Sequence, residues 1–262
     1  MNTLVVKLGG HALDRLDVDA PVLVDFANDV GHLRDEGAHV VVVHGGGPQI
    51  AALLERLALP STFIDGLRVT DDATMEAVAM ALSMVNLQIV ATLNARGVAA
   101  VGLSGADAGL LRATPLGESW GRAAGDPRIE TAVVTSLLRE GFTPVVSSVG
   151  VDGAGKLVNC NADTMAGALA GALGTELILL SDVDQVRADP DAADSALTSI
   201  TRDQVIELLA SGSARDGMRP KLTAALDALD GGAPRVRLAN GRRSHALSQL
   251  LTGALASTEV TA

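Results

Sequence analysis

Four consecutive valines stand in HVVVVH (39–44), with no polar residue alternating between them. Such a β-branched run predicts a strand buried on both faces, the situation of an interior strand in a parallel sheet. Gly45, Gly46, Gly47 and Pro48 follow at once, and PQIAALLERLAL then resumes at helical spacing, with Pro48 suited to a first turn. Strand, glycine turn and helix start in that order suit an anion. Read alone, the triplet serves equally as a tight βα turn whose glycines supply conformational freedom.

The alternation of strand and helix patterns continues along the chain. TLVVKLGG (3–10) reads as a strand ending in paired glycines, residues 19–36 as a helix closed by Gly37, and 48–58 as the helix after the glycine triplet. GLRVTDDATM begins a loop that leads into a long helix over 72–96, with Asp71 and Asp72 placed for capping. VAAVGLSG is a strand, 110–130 an irregular or hairpin region, 131–140 a helix and TPVVSSVG another strand. VDGAGKLVN has hairpin turn chemistry, 162–174 is a small-residue helix, ELILLSDV a strand, 201–211 and 218–230 helices, and VRLAN the final strand. Repeated βα units predict an α/β fold, a three-layer αβα sandwich around a mostly parallel sheet. In the long helix, Met75, Val78, Met80, Leu82, Met84, Val85, Leu87 and Ile89 leave almost no polar face. One side suffices to cover its own sheet, so the other is expected to meet a symmetry mate in a homodimer joined through residues 72–90.

With 262 residues and 48% apolar content, the chain can bury a large core in one sizeable domain or two lobes. A formal charge of −11 disfavours nucleic acid and anionic membranes as partners. Any phosphate it binds must therefore meet locally placed cations. The single Cys160 excludes an intramolecular disulfide framework and a cysteine zinc site, and the start of the chain lacks a signal-peptide pattern, so a cytoplasmic location is expected. Lys7 lies inside the first strand beside Gly9 and Gly10, Lys221 sits where ARDGMRPKLTAAL opens a helix, and NCNAD brings Asn159, Asn161 and Asp163 to another helix start. Each lysine alone reads as solvated surface, and Asp163 alone as a favourable helix-terminal charge. Beside two strand-exit glycine turns at the carboxyl edge of one sheet, they become a candidate anion site. No G-x-x-x-x-G-K-[ST] and no G-x-G-x-x-G after a strand occurs. The HGGG string lacks the G-x-S-x-G partner of an esterase, since GLSGA (102–106) has the wrong spacing.

The ordered set KLGGHAL, VVVVHGGGPQI, DGLRVTDDATM, VNLQIVATLNARGVAAVGLSGAD, GFTPVVSSVGVDGAGKLVNCNAD, LILLSDV and DGMRPKL resembles the amino acid kinase family from end to end. Within it the match is closest to members that phosphorylate N-acetylglutamate. The resemblance implies an acyl-amino-acid lobe over 1–173 and a nucleotide lobe over 174–262. It implies transfer of a phosphoryl group from ATP, with Mg2+, to the side-chain carboxylate of N-acetyl-L-glutamate, a step of arginine biosynthesis. By that similarity Lys7 and Lys221 hold the transferring group and Asp163 orients both ammonium groups. Gly9, Gly10 and Gly45 donate backbone N–H to phosphate oxygens. Gly46, Arg68, Asn159 and Asn161 hold the acyl amino acid, while Ser181, Asp182, Val183, Asp216, Gly217 and Met218 border the nucleotide. No protein ligand for the metal is implied, Mg2+ being held mainly by ATP phosphates and water. Alternatives that share the fold are a kinase of a related acyl amino acid, such as a carrier-linked aminoadipate or glutamate, and a catalytically silent binding protein. DVDQV carries Gln185 where the family has glycine, and LTGALAST lacks the Gly-x-Gly-Thr pattern common in relatives. Arginine-inhibited relatives add a helix before the first strand, so with a strand from Thr3 the chain is expected to be insensitive to arginine.

Overall fold

The computed structural model describes residues 3–9, 19–215 and 217–262. The chain begins with β1 (Thr3–Leu8), α1 (Pro21–Asp35), β2 (His39–His44) and α2 (Gly47–Arg56). Next come β3 (Phe63–Ile64), β4 (Leu67–Arg68), α3 (Asp72–Ala95), β5 (Ala100–Ser104), β6 (Leu111–Pro115), β7 (Ala123–Ile129), α4 (Ala132–Arg139) and β8 (Thr143–Ser147). Then follow β9 (Val149–Val151), β10 (Leu157–Cys160), α5 (Ala162–Leu173), β11 (Glu176–Ser181), β12 (Val186–Arg187), β13 (Ala196–Leu197) and β14 (Ser199–Thr201). The chain closes with α6 (Arg202–Ala210), α7 (Met218–Asp230), β15 (Val236–Asn240), α8 (Ala246–Leu251) and β16 (Ser257–Thr261).

An eight-stranded sheet in the order β14-β16-β15-β11-β1-β2-β8-β5 forms the middle layer. Its strands from β15 to β5 are parallel, and β16 runs against β15. The valine strand β2 lies between β1 and β8 and is buried on both faces, as its continuous apolar pattern requires. Val41 and Val43 enter the core shared with Met165 and Leu169 of α5, whereas Val40 and Val42 enter the core shared with α1 and α3. This alternation fixes which face each strand-end residue serves. The expected break between 173 and 174 falls where α5 ends at Gly174 and the chain enters β11, which pairs with β1 in the same sheet.

Three features depart from the sequence expectations. Residues of the loop before α3 form the β3–β4 hairpin, turned by Asp65 and Gly66 at φ 51° and 76°, as an Asp-Gly type I′ turn demands. VRLAN is not the final strand, because α8 and β16 follow it, and β16 inserts between β15 and β14. The region 110–130 does contain a β6–β7 hairpin, but that hairpin closes a small barrel with β9 and β10.

Helices α5 and α7 pack side by side in parallel, and small residues bring their backbones together. A Cβ on Gly167 would run into the carbonyl oxygen of Ala224, and one on Gly171 would lie 2.9 Å from Gly231 Cα. Asp163 stands one turn before Gly167, and Lys221 about one turn before Ala224. The same register that lets the backbones touch therefore brings this carboxylate and this ammonium together. Gly167→Ala should gain roughly 1 kcal/mol of helix propensity. The steric clash with a backbone atom should cost more, leaving a net loss of about 1–3 kcal/mol. A urea midpoint equal to or above that of the unmodified chain would refute the contact.

Candidate active site

Lys7 shares the α5 face of the sheet with Val5, because side chains alternate along β1. Its Nζ lies 2.6 Å from Asp163 Oδ1, and Lys221 Nζ lies 3.7 Å from Asp163 Oδ2. Lys221 also donates to the carbonyl oxygen of Gly217 at 3.0 Å. Asp163 sits in the first turn of α5, whose start is capped by Asn161: its Oδ1 accepts from the backbone N–H of Asp163 at 2.8 Å and of Thr164 at 3.2 Å. Burial opposes ionisation of Asp163, yet the ammonium groups of Lys7 and Lys221 outweigh it and hold the carboxyl below its usual range. Two ammonium groups and one carboxylate leave one positive charge in surplus, at a place nearly closed to water.

Two cavities meet at this cluster. The smaller, about 390 Å³, is lined by Lys7, Gly45, Gly46, Arg68, Asn159 and Asn161 among others. The larger, about 710 Å³, is lined by Asp182, Val183, Gln185, Met218 and Lys221 among others, and Gly217 borders both. Arg68 is buried, with its guanidinium stacked 4.7 Å from the centroid of Phe63 and donating to Ser61 Oγ at 2.5 Å and to Gly47 O at 3.4 Å. Among the described residues no carboxylate pairs with it, and burial lowers its pKa. Asn159 Nδ2 donates to Thr70 Oγ1 at 3.1 Å, and that hydroxyl donates to Arg68 O at 2.8 Å, so Asn159 and Arg68 are tied to one strut. Cys160, between the two asparagines, is buried with its thiol pushed up to about 12, which leaves it a packing residue.

Several expected residues stand elsewhere. The N–H of Gly9 is donated to Leu180 O at 2.8 Å, extending the β1–β11 ladder, so it is not free for a phosphate. Its lack of a side chain is explained by packing, since a Cβ there would lie 2.8 Å from that oxygen and 3.3 Å from Ser181 Cα. Ser181 is buried at the end of β11, and its Oγ accepts from Val183 N–H at 3.4 Å, shaping the turn without lining the larger cavity. Gly10 and Asp216 lie outside the described residues.

Other residues enter the site only through the fold. Gln185 Nε2 donates to Ser257 O at 3.0 Å, tying the loop after β11 to β16. Asp184 Oδ1 accepts from Asn240 Nδ2 at 3.0 Å and Arg243 Nη2 at 3.2 Å on the same loop. His44, fully buried behind the glycine triplet, meets Asn86 of α3 through Nε2 at 3.0 Å and Gly45 O through Nδ1 at 3.0 Å. The Gln185 substitution was visible in the sequence, but its partner is distant along the chain, and Asn86 carried no local signal.

The profile of the amino acid kinase family matches residues 2–240. An acetylglutamate kinase of Symbiobacterium thermophilum is 43% identical over 256 residues, covering 94% of this chain and 86% of its own. An acetylglutamate kinase of Saccharopolyspora erythraea is 42% identical over 268 residues, covering 98% and 86%. Among solved structures, smu.665 from Streptococcus mutans UA159 superposes with a TM-score of 0.79 at 30% identity, covering 91% of this chain and 94% of that one. The fold is also that of carbamate kinase from Giardia lamblia bound to AMP-PNP, with a TM-score of 0.71 at 16% identity and coverage of 99% and 98%.

Burial lowers the pKa of His44 to about 4 from 6.5, the Gly45 hydrogen bond opposing it only in part. Between those two values the unfolded chain binds a proton that the folded chain does not, so stability rises with pH across this window and is lost as pH falls through it. The loss approaches on the order of 3 kcal/mol at its acid end. Urea titrations from pH 7 down to 4.5 should show that dependence, and His44→Asn should flatten it. An equal slope in both chains would mean that His44 does not titrate in this way.

Proposed function

Because the chain belongs to the amino acid kinase family, we propose that it transfers the γ-phosphoryl group of ATP to the side-chain carboxylate of N-acetyl-L-glutamate, a step of arginine biosynthesis. The observation that carries this reading is Asp163 held between Lys7 and Lys221 where two cavities meet. The smaller cavity takes the acyl amino acid. Arg68, buried and without a carboxylate partner among the described residues, offers its fork to the α-carboxylate. The side-chain amides of Asn161 and Asn159, which line this cavity, face the remaining polar groups of that ligand. The larger cavity takes the nucleotide, and the assignment divides the chain into an acyl-amino-acid lobe over 1–173 and a nucleotide lobe over 174–262.

An acceptor carboxylate with a pKa near ~4.3 is ionised at neutral pH, so the reaction needs no general base. The obstacle is repulsion between this anion and the triphosphate, together with charge that develops during transfer. Lys7 meets that charge from the acceptor side and Lys221 from the donor side, and Asp163 holds both ammonium groups in place. Among the described residues no three His, Cys, Asp or Glu side chains converge, and both oxygens of Asp163 face ammonium groups. By the family resemblance Mg2+ would be held mainly by the triphosphate and water, where it would neutralise the phosphate oxygens.

The same reading includes a cytoplasmic homodimer. Met80, Met84 and Leu87 of α3 are 54%, 55% and 63% exposed, at the i, i+4, i+7 spacing of one stripe. Helix α3 is long and apolar enough to cross a membrane by length and composition. Its other face, with Val78, Leu82, Val85 and Ile89, packs within the domain, so the stripe is better covered by a second copy.

Hydroxylamine trapping of the acyl phosphate should give product with N-acetylglutamate and little with N-acetylaspartate, N-acetylaminoadipate or free glutamate. Lys7→Ala and Lys221→Ala should each lower kcat by roughly 10²–10³-fold while the far-ultraviolet spectrum is kept. Near-normal turnover in both variants would sink the assignment. Light scattering should give twice the 26.6 kDa chain mass, and Met84→Glu should halve it. A mass that this variant leaves unchanged would exclude the α3 stripe as the interface.

A further inference from the structure

Gly45, Gly46 and Gly47 line the smaller cavity, whereas His44, which precedes them in the chain, does not. It ends β2 on the face that carries Val40 and Val42, the face covered by α1 and α3. Asn86 Nδ2 is 2.9 Å from Val145 O and 3.3 Å from Leu103 O, so the amide nitrogen, a donor, must occupy that position. It is also 3.0 Å from His44 Nε2, which must then be the acceptor nitrogen of a neutral ring. The ring hydrogen consequently sits on Nδ1 and is donated to Gly45 O. Burial favours the neutral ring that this arrangement needs.

A trans peptide points its C=O and the following N–H in opposite directions. With Gly45 O turned toward the α3 face, the N–H of Gly46 faces the other side, where Lys7 and Asp163 stand. Among the described residues that N–H has no acceptor. Gly46 is held from behind as well, since a Cβ there would lie 2.8 Å from Leu82 Cδ2 and 3.1 Å from Val85 Cγ2 of α3. We propose that Asn86 and His44 are positioning residues that aim the Gly46 N–H at the oxygen gaining negative charge as the phosphoryl group is transferred. The inference rests on the phosphoryl-transfer reading of this cavity.

Two substitutions separate positioning from mere packing. The side-chain NH2 of His44→Asn falls where Nδ1 was and can still hold Gly45 O, whereas that of His44→Gln reaches the Nε2 position and cannot. His44→Asn should keep most of kcat. His44→Gln should lose about 10²-fold in kcat, the effect of a 1 Å misplacement, with KM for ATP changed far less. Equal kcat in the two variants, whether both kept or both lost, would overturn the proposal. Imidazole 15N shifts of the unmodified protein at pH 7 give a second test that survives misfolding of either variant. They should report a protonated Nδ1 and a bare Nε2, and the reverse tautomer would overturn the clamp. Failure of the unmodified chain to form acyl phosphate would remove the underlying reading, and it is told apart because the tautomer does not depend on turnover.

Discussion

A carboxylate buried as deeply as that of Asp163 costs several kcal/mol in lost hydration, which an ion pair offsets only where geometry is good on both sides. The requirement reaches through the fold, because the two partners come from opposite ends of the chain. Lys7 arrives through the register of β1, sandwiched between β2 and β11. Lys221 arrives through the contact between α5 and α7, where glycine permits backbone-to-backbone approach. A bulkier residue at that contact moves one ammonium group away from a charge that remains buried. Stability and chemistry thus rest on the same few small residues, and a run such as ADTMAGALAGAL serves as the spacer that sets a charge-to-charge distance.

The valine strand has a comparable double role. Its burial on both faces requires residues 40–43 to be apolar throughout, and the alternation of its side chains continues into His44 and the glycines. Even positions belong to α3, odd positions to α5. His44 and the missing Cβ of Gly46 lie on the α3 side, and the missing Cβ of Gly45 points to Ala162, at the start of α5. A parallel strand between two others also has its ladder partners on both sides, so the loop at its end cannot drift from the sheet edge.

How much of this was legible in the sequence follows the range of the signals. Continuous β-branched runs, helix caps such as Asp71 accepting from Thr74 N–H, and the helical spacing of α5 are local, and each produced its element. The cluster of Lys7, Asp163 and Lys221 was legible through resemblance to a family, because nothing in the spacing of residues 7, 163 and 221 encodes their meeting. Gly9 was misread for a related reason. A glycine that donates to a ligand and one that clears a neighbouring strand look alike until Leu180 is in place. The β15–β16 pairing was missed because STEVT is short, mostly polar and close to the chain end, and its partners β14 and β15 decide its state.

Charge supplies the last link between sequence and site. A chain of net charge −11 attracts a triphosphate poorly at long range, and the larger cavity is itself rimmed by Asp182, Asp184 and Asp191. Two facts decide the balance. Charges on the surface are screened over about 8 Å at physiological ionic strength, whereas a pair removed from water is not. The rim is also partly neutralised in place, Asp184 by Arg243 at 3.2 Å and Asp191 by Arg215 at 3.3 Å. What an arriving phosphate meets at close quarters is therefore the surplus ammonium charge beside Asp163, exposed at the junction of the cavities. An acidic surface limits binding of other polyanions such as nucleic acid, which need an extended basic face, while leaving intact a site that acts over a few ångströms. The net charge of the chain and the charge of its site are thus set independently, the first by solvated rims and the second by the buried Lys7–Asp163 pair with the partly exposed Lys221 beside it.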